Sequence, residues 1–579
     1  MINSFVSSRS RVLAVTVIVL MAVFVLRLFW LQVIRHDYYV AQANNEQLKR
    51  LEIPAKRGTI YAMDGKEPVR LVMNETVYTA FVDPAIVSDA GKITDVFRRV
   101  AGGNLRANPQ EIIESGQDRE SRYEIIATRL SRTQAEMIKE EGLPGVGFQQ
   151  VSQRVYPEGQ LASQTLGFVN TEGEGQYGIE GALDEQLKGR DGLLQSVTDV
   201  SNVPLTIGDK NIDIPAKDGD NIVLSIDRNV QAKTEQALAT GLEKSGATHG
   251  SVVVMNPQNG KIMAMANLPT YNPSEYHKVT DAAVFRNAAA SIPYEAGSVI
   301  KAFTVVMGLD KGVISPTSTY VNTNRVKIDD RVITNAFKDR TGTITMQEAF
   351  NFSLNTGMVE IAQRLGGGSI DRKSRDTMYD YFHNKFGLGQ VTGLETANET
   401  PGRVISPEET EGNAVRYSNM SFGQGMNVTM VQVAAALNSA INGGTYYKPS
   451  LLSGVVVDDE FKPSEPSVVR SNVVSKQASD DLRRMMETAR HEFYGPQDKA
   501  GFKIGGKTGT SQTIQDGRYV DNQTVGTYLG YGGDNLPRYV IMVQVSGKNM
   551  NLEGGKHASP IFTEISNWMI DYLKLQPKG

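Results

Sequence analysis

The segment Gly297-Ser298-Val299-Ile300-Lys301 places a hydroxyl and an amine three residues apart at the start of an otherwise apolar run. From Val299 to Leu309 that run is apolar nearly all round, with Val299, Ile300, Ala302, Phe303, Val305, Val306, Met307 and Leu309. A helix of this composition belongs in a core. Ser298 then stands at its N-terminus, and Lys301 lies one turn on, along the same face. An amine held in a core loses hydration, so its pKa falls from about 10.4 toward a range in which it accepts a proton. That gives a serine nucleophile a base within reach without any histidine. The alternative reading is an N-cap serine beside a lysine that snorkels to the surface.

Two further short patterns follow. Ser353-Leu354-Asn355 sits where a helical run breaks and restarts, and Lys507-Thr508-Gly509-Thr510 comes ahead of two strand-like segments. The latter ends the stretch GFKIGGKTGT, whose first eight residues also fit G-x-x-x-x-G-K-[ST], a loop that cradles nucleotide phosphates. Context decides between the two. A phosphate loop follows a buried strand and opens a helix. Here FYGPQDKAGFKIGG is polar and turn-rich, TSQTIQDGRYVDN has no helical period, and no clear strand ending in a magnesium-binding aspartate comes after it. The expectation is therefore no nucleotide, with Gly505, Gly506 and Gly509 letting a sheet-edge backbone approach a peptide.

The elements that must position these groups are legible in outline. With 579 residues, two to four domains are expected. Sixty basic residues against 64 acidic leave a net charge of −4, which gives no field favouring nucleic acid. Cysteine is absent, which excludes disulfides, a thiolate nucleophile and sulfur-bound zinc; the six scattered histidines form no His-x-x-x-His pair, so a histidine-rich metal site is not expected, while carboxylate sites stay open. Residues 1–11 read as a cytoplasmic tail. Val12 to Ile34 is long and apolar enough to cross a membrane, and the arginines before it put the bulk of the chain outside. Leu28, Phe29, Trp30 and Leu31 occupy the place of a small-residue cleavage site, which favours an uncleaved signal anchor. Arg27 either snorkels beside Trp30 or faces a partner helix.

Residues 35–218 are polar and broken into short elements: a hairpin turning at Asp64-Gly65, a helix with a Ser131-x-x-Gln134 capping box stopped at Gly142, and loops at GGNLRANPQ and ESGQDRES. Nothing there gathers reactive groups, which suits a spacer or interaction domain. Residues 219–579 begin with the strand-like NIVLSID and GSVVVMNPQNGKIMAMAN, the latter turning at Asn259-Gly260. Helical, loop-rich material follows from about Ala282 to Gly443, then VGTYLGYGG and RYVIMVQVSG as neighbouring strands, and a closing helix, SPIFTEISNWMIDYLKL. Strands at both ends with helices between predict one α/β domain whose sheet joins its two termini.

In the order S-x-x-K, S-x-N, K-T-G, at these separations, the chain resembles the class B penicillin-binding proteins, membrane-anchored D,D-transpeptidases that cross-link bacterial peptidoglycan. The resemblance extends to LFWLQVI in the anchor, RGTIYAMDG, RVYPEGQLASQTLGFVN and GIEGALDEQLKGRDG in the pedestal, and FRNAAASIPYEAGSVIK and SFGQGMNVTMVQVAAALNSAINGG further on. Ala62 and Met63 depart from it, standing where the pedestal motif has Asp and Arg. The resemblance implies an α/β, serine β-lactamase-like transpeptidase domain behind a mixed α+β, dimerisation-like pedestal and one transmembrane helix. It implies that Ser298 attacks the carbonyl between two terminal D-alanines, that Lys301 takes its proton and that Ser353 relays one to the leaving amine. Asn355 would bond Lys301 and the substrate amide. Lys507 and Thr510 would hold the terminal carboxylate, with Thr508 and Gly509 beside them, and the N–H groups of Ser298 and Thr510 would form the oxyanion hole. No cofactor is called for, and β-lactams would be covalent inhibitors. A compact pedestal with no long insertion resembles the division-type, FtsI-like branch, whose partners include an FtsW-type membrane glycosyltransferase and other division proteins. An elongation-type enzyme, a β-lactamase and a non-catalytic division scaffold are the alternatives.

Overall fold

The structure is a computed structural model that describes residues 8–39, 48–197, 212–515 and 518–577. The chain forms two compact units, one of residues 1–57 and 188–219 and one of residues 58–187 and 220–579.

The first unit carries the apolar helix Ser8–Phe29, which widens into a π turn at Trp30–Ile34. Its span Arg11–Ile34 has 24 residues and a mean hydropathy of 2.8. At 1.5 Å per residue that is about 36 Å, enough to cross roughly 30 Å of hydrocarbon. The Arg27 guanidinium lies 4.5 Å from the Trp30 ring centroid, so its charge sits against an aromatic face. The same unit contains a three-stranded antiparallel sheet of Leu48–Ile53, Gly192–Val197 and Ile212–Ile214.

In the second unit, eleven elements concern the site. They are α1 (Arg228–Ser245), β1 (His249–Met255), β2 (Ile262–Leu268), α2 (Lys301–Asp310), α3 (Asn355–Leu365), α4 (Met430–Ile441), α5 (Lys476–Tyr494), β3 (Lys503–Gln515), β4 (Arg518–Gly533), β5 (Pro537–Ser546) and α6 (Ser559–Tyr572). The strands form one antiparallel sheet in the order β2-β1-β5-β4-β3. Its first and last strands in sequence are thereby joined, as the pattern predicts. Alternation of side chains sorts β1 and β5 between two cores. Val252, Val254, Ile541 and Val543 pack with Leu238 of α1 and Ile561, Phe562 and Ile565 of α6. Val253, Met255, Val540 and Met542 point the other way, toward the cluster that holds α2 and α4. Every residue of α4 is buried, and so are nine of the ten in α2. Truncating a core side chain such as Phe303 would cost about 3–5 kcal/mol. These helices are rigid supports for whatever they carry.

A second sheet runs Glu460–Pro463, Leu452–Val457, Asn221–Asp227, Ile60–Asp64, Glu67–Val82 and Glu124–Leu130, with Val146–Val155 also on Glu67–Val82. The strand-like NIVLSID is indeed a strand, but it lies outside the β1–β5 sheet. It runs parallel to Ile60–Asp64 and antiparallel to Leu452–Val457. The hairpin at Asp64-Gly65 and both hydrogen bonds of the Ser131/Gln134 capping box are present. One expected loop is corrected: the helix Pro109–Asp118 takes in most of ESGQDRES. Gly116 within that helix serves packing, since a Cβ there would come within 2.7 Å of Pro84 Cγ. Ala62 is buried in the core beside Ile60, and a buried ion pair is made by Arg154 and Glu180 at 2.7 Å.

Candidate active site

Ser298 owes its position to two glycines. Gly297 has φ +63°, a conformation that disfavours side chains, and its N–H donates to Gly423 O at 3.1 Å. A Cβ on Gly297 would come to 3.0 Å from Thr510 O, and one on Gly423 would overlap Gly297 O. Gly297–Ile300 forms a 3₁₀ turn that runs straight into α2. Ser298 therefore stands at the N-terminal end of the buried helix, as expected, and its Oγ makes no hydrogen bond to any described residue.

One turn on, Lys301 is 1% exposed. Its Nζ donates to Ser353 O at 2.6 Å and to Ser353 Oγ at 3.1 Å. Ser353 offers both oxygens to one amine because it sits in the left-handed region, φ +55°, between the helix Met346–Asn351 and α3. A non-glycine residue held there stores strain of about 1–3 kcal/mol, which the surrounding packing sustains. Across the cleft Lys507, 3% exposed, lies on β3, and its Nζ donates to Thr508 O at 3.2 Å and more weakly to Thr508 Oγ1. Neither lysine has a carboxylate within 4 Å among the described residues. Burial, and after it the charge of Lys507, hold the Lys301 amine well below the usual lysine range. Burial lowers Lys507 to about 7. A neutral amine has two N–H bonds and one lone pair. With both N–H bonds of Lys301 directed at Ser353, the lone pair is left to accept a proton.

Asn355 does not make the expected bond to Lys301. Its Nδ2 donates to Thr334 O at 2.9 Å and not toward Lys301, whose acceptors are both on Ser353. Thr510 Oγ1 accepts from Gly554 N–H at 3.3 Å. Gly509 faces away from the cavity: a Cβ there would overlap Thr527 Oγ1 and come to 3.0 Å from Ala296 O. Its bare backbone lets β3 lie against the residues that precede Ser298. Because β3 is an edge strand, alternate backbone groups on it lack a strand partner and are free to bond an extended ligand.

A cavity of about 640 Å³ gathers Ser298, Ser353, Asn355, Lys507, Thr508 and Thr510, with Lys301 buried behind them. Sequence reasoning missed its aromatic wall. Phe337 stacks on Phe352 with centroids 5.6 Å apart, and Phe493 meets Phe352 edge-on at the same distance. Only the adjacency of Phe352 to Ser353 signalled it. Also missed was Arg490, 1% exposed, which lines the cavity and donates to Asp498, Tyr528 and Thr563. Among the described residues no cluster of three or more His, Asp or Glu side chains could hold a metal.

A serine at the head of a buried helix, a lysine base one turn later and an edge strand bearing a second lysine define a serine acyl-transfer site of the penicillin-binding kind. The chain belongs to the family described as the penicillin binding protein transpeptidase domain, which matches residues 250–567, preceded by a penicillin-binding protein dimerisation domain over residues 52–224. It is 28% identical to Stage V sporulation protein D of Bacillus subtilis, covering 99% of this chain and 88% of that protein. It is 26% identical to the peptidoglycan D,D-transpeptidase FtsI of Escherichia coli, covering 99% and 93%. Among solved structures it resembles penicillin binding protein 2X of Streptococcus thermophilus, with TM-score 0.70 and 22% identity over 91% of this chain and 80% of that one. It also resembles penicillin binding protein 3 of Mycobacterium tuberculosis complexed with aztreonam, with TM-score 0.67 and 24% identity over 91% and 98%.

Proposed function

We propose that this protein is a membrane-anchored serine D,D-transpeptidase that cross-links peptidoglycan stem peptides, acting in septal wall synthesis. The observation that carries the reading is the Lys301 amine, buried without a carboxylate and held by both oxygens of Ser353 one turn from Ser298. Ser298 Oγ attacks the carbonyl between the two terminal D-alanines, and its proton passes to Lys301 Nζ. The N–H groups of Ser298 and Thr510 receive the oxyanion. The C–N bond then breaks, and Ser353 Oγ relays the proton from Lys301 to the departing D-alanine amine. The amine of a neighbouring strand attacks the resulting ester, a new amide forms, and Ser298 recovers its proton. Lys507 and Thr510 anchor the terminal carboxylate, while Asn355, held by Thr334 O, bonds the substrate amide from the cavity rim. β-Lactams acylate the same serine.

The anchor crosses the membrane at 12–34 with residues 1–11 in the cytoplasm. Residues 35–218 form the pedestal outside it and 219–579 the transpeptidase domain. The likeness to FtsI supports a division role with an FtsW-type glycosyltransferase as membrane partner. Cross-linking of polymerised wall precursor by the full chain with that partner tests the reading. Loss of cross-links in Ser298→Ala is expected, and unchanged cross-linking would refute the catalytic role. A fluorescent fusion concentrated at mid-cell supports the septal role, whereas uniform lateral staining contradicts it.

A further inference from the structure

Helix α3 starts without a cap of its own. Its N-cap residue is Leu354, whose side chain has no oxygen for the N–H groups of the first turn, and those groups have no partner within the helix. One of them, the N–H of the buried Thr356, donates at 3.0 Å to Oδ1 of Asn335, a residue 21 positions earlier in the chain. Asn335 is itself 1% exposed. Its Nδ2 donates to Thr356 Oγ1 at 3.1 Å, to Asn324 Oδ1 at 3.1 Å and to Asn322 Oδ1 at 3.2 Å, and its backbone N–H donates to Asn324 O at 3.2 Å. Both ends of its side-chain amide are thus engaged, which fixes the chain at Asn335 against the first turn of α3.

The residues on either side of that fixed point belong to the catalytic cavity. Thr334 O, one residue before it, is the acceptor for Asn355 Nδ2 at 2.9 Å, and Ala336 and Phe337, after it, line the cavity. Two short segments therefore clasp each other: the Asn355 side chain bonds the backbone of Thr334, and the Asn335 side chain bonds the backbone of Thr356. Thr334 ends a two-stranded ribbon, Arg325–Ile328 with Arg331–Thr334, that pairs with no other described strand. Such a ribbon is marginal by itself, so the place of Thr334 O is set by the contacts of Asn335 and not by a sheet. A carbonyl oxygen accepts only from the amino end of a carboxamide. Contact with Thr334 O thereby settles which way the Asn355 amide is turned. One N–H and Oδ1 of Asn355 are left over, and together they complement a peptide group.

We infer that Asn335 is a positioning residue for acyl transfer: by capping α3 from outside, it holds Thr334 O where that oxygen orients the Asn355 amide for the peptide group of the ligand. Asn335 makes no hydrogen bond to Ser298, Lys301 or Lys507 and acts through Asn355. The inference rests on the transpeptidase reading of the cavity. The same network contains a member that bonds neither Thr334 nor Asn335, the Tyr320 hydroxyl, which lies 3.0 Å from Thr356 Oγ1. Tyr320 therefore separates loss of stability from loss of positioning.

The experiment follows acylation of the full chain in detergent by a fluorescent penicillin over a range of concentrations, which separates the concentration for half-maximal rate from the maximal rate. Asn335→Ala should raise the former about tenfold, the typical effect of one hydrogen bond, and change the latter less than about twofold. In an Asn355→Ala background the same substitution should add less than about twofold, because the residue it acts through is gone. Asn335→Asp keeps an oxygen for the Thr356 N–H, so it should fold even where Asn335→Ala does not, and stay within about threefold of wild type. Tyr320→Phe takes one bond from the network and should lower the melting temperature with acylation unchanged. Full additivity with Asn355→Ala, a defect of about tenfold in Asn335→Asp, or an equal rise in Tyr320→Phe would overturn the inference. Mass spectrometry of the wild-type chain reports separately on Ser298. If no adduct forms, the catalytic reading fails, and a crystal structure of Asn335→Ala still decides the positioning role: Asn355 Nδ2 drawn away from Thr334 O supports it, and an unmoved amide overturns it.

Discussion

Raising the pH through 7 should progressively switch off acylation of Ser298, because Lys507 loses its charge. Burial without a carboxylate brings this lysine from 10.5 to about 7. At about 1.36 kcal/mol per pH unit, the displacement corresponds to roughly 5 kcal/mol of hydration withheld from the ammonium. A ligand carboxylate needs that ammonium, so the second-order acylation rate, which reports the free enzyme, falls along an alkaline limb centred near 7. About one molecule in ten carries the charge at pH 8 and about one in a hundred at pH 9, so the rate drops roughly tenfold per unit. Lys301 acts in the opposite sense: the rate rises as it deprotonates, well below the usual lysine range. The profile is therefore a bell. It is read with a fluorescent penicillin from about pH 5.5 to about pH 9.5. Lys507→Arg stays charged above pH 12 or so, and should remove the alkaline limb whatever its absolute rate. A flat profile above neutrality, or a limb that persists in Lys507→Arg, would refute the reasoning. Stability carries the same signature. Between about 7 and 10.5 the unfolded chain binds the extra proton, so stability should rise with pH across that window; Lys301, also lowered by burial, adds a slope of the same sign, so Lys507→Met should reduce the slope without abolishing it.

Gly509→Ala would drive β3 away from Ala296 and Thr527, and a displacement of about 1 Å at the nucleophile should slow acylation roughly a hundredfold; a rate within twofold of wild type would show the close approach to be unnecessary. Arg490→Met leaves Asp498 without its buried partner and should cost about 3–5 kcal/mol in thermal unfolding, so an unchanged melting temperature contradicts a structural role for the pair. Asn355→Ala should raise the ligand concentration needed for half-maximal acylation while leaving the acidic limb of the pH profile in place, because Asn355 bonds Thr334 and not Lys301. A shifted acidic limb would instead restore a direct contact with the base.

Local chemistry was legible wherever one stretch of chain decides the outcome. Ser298 and Lys301 could be paired because α2 is apolar all round, which leaves its lysine no structural reason to be there. Ser131 and Gln134, Asp64-Gly65 and Asn259-Gly260 fix their own turns and caps through their own hydrogen bonds and dihedrals. Pairing between distant segments was not legible. Nothing local to Asn221–Asp227 says that it runs parallel to Ile60–Asp64, some 160 residues earlier, rather than in the neighbouring sheet. The stretch ESGQDRES was read as a loop for the same reason, since the small size of Gly116 answers to Pro84 and not to a turn. Asn355 shows the limit at the site itself. Its place after Ser353 follows from the motif, but its partner, Thr334, comes from a separate strand.

The central claim, that Ser298 is the acylated nucleophile, is tested most directly by treating the full chain with a penicillin and measuring intact mass followed by peptide mapping. A long-lived adduct on Ser298, absent in Ser298→Ala, is the predicted result. Folded protein that takes up no adduct, or carries it on another residue, would contradict it.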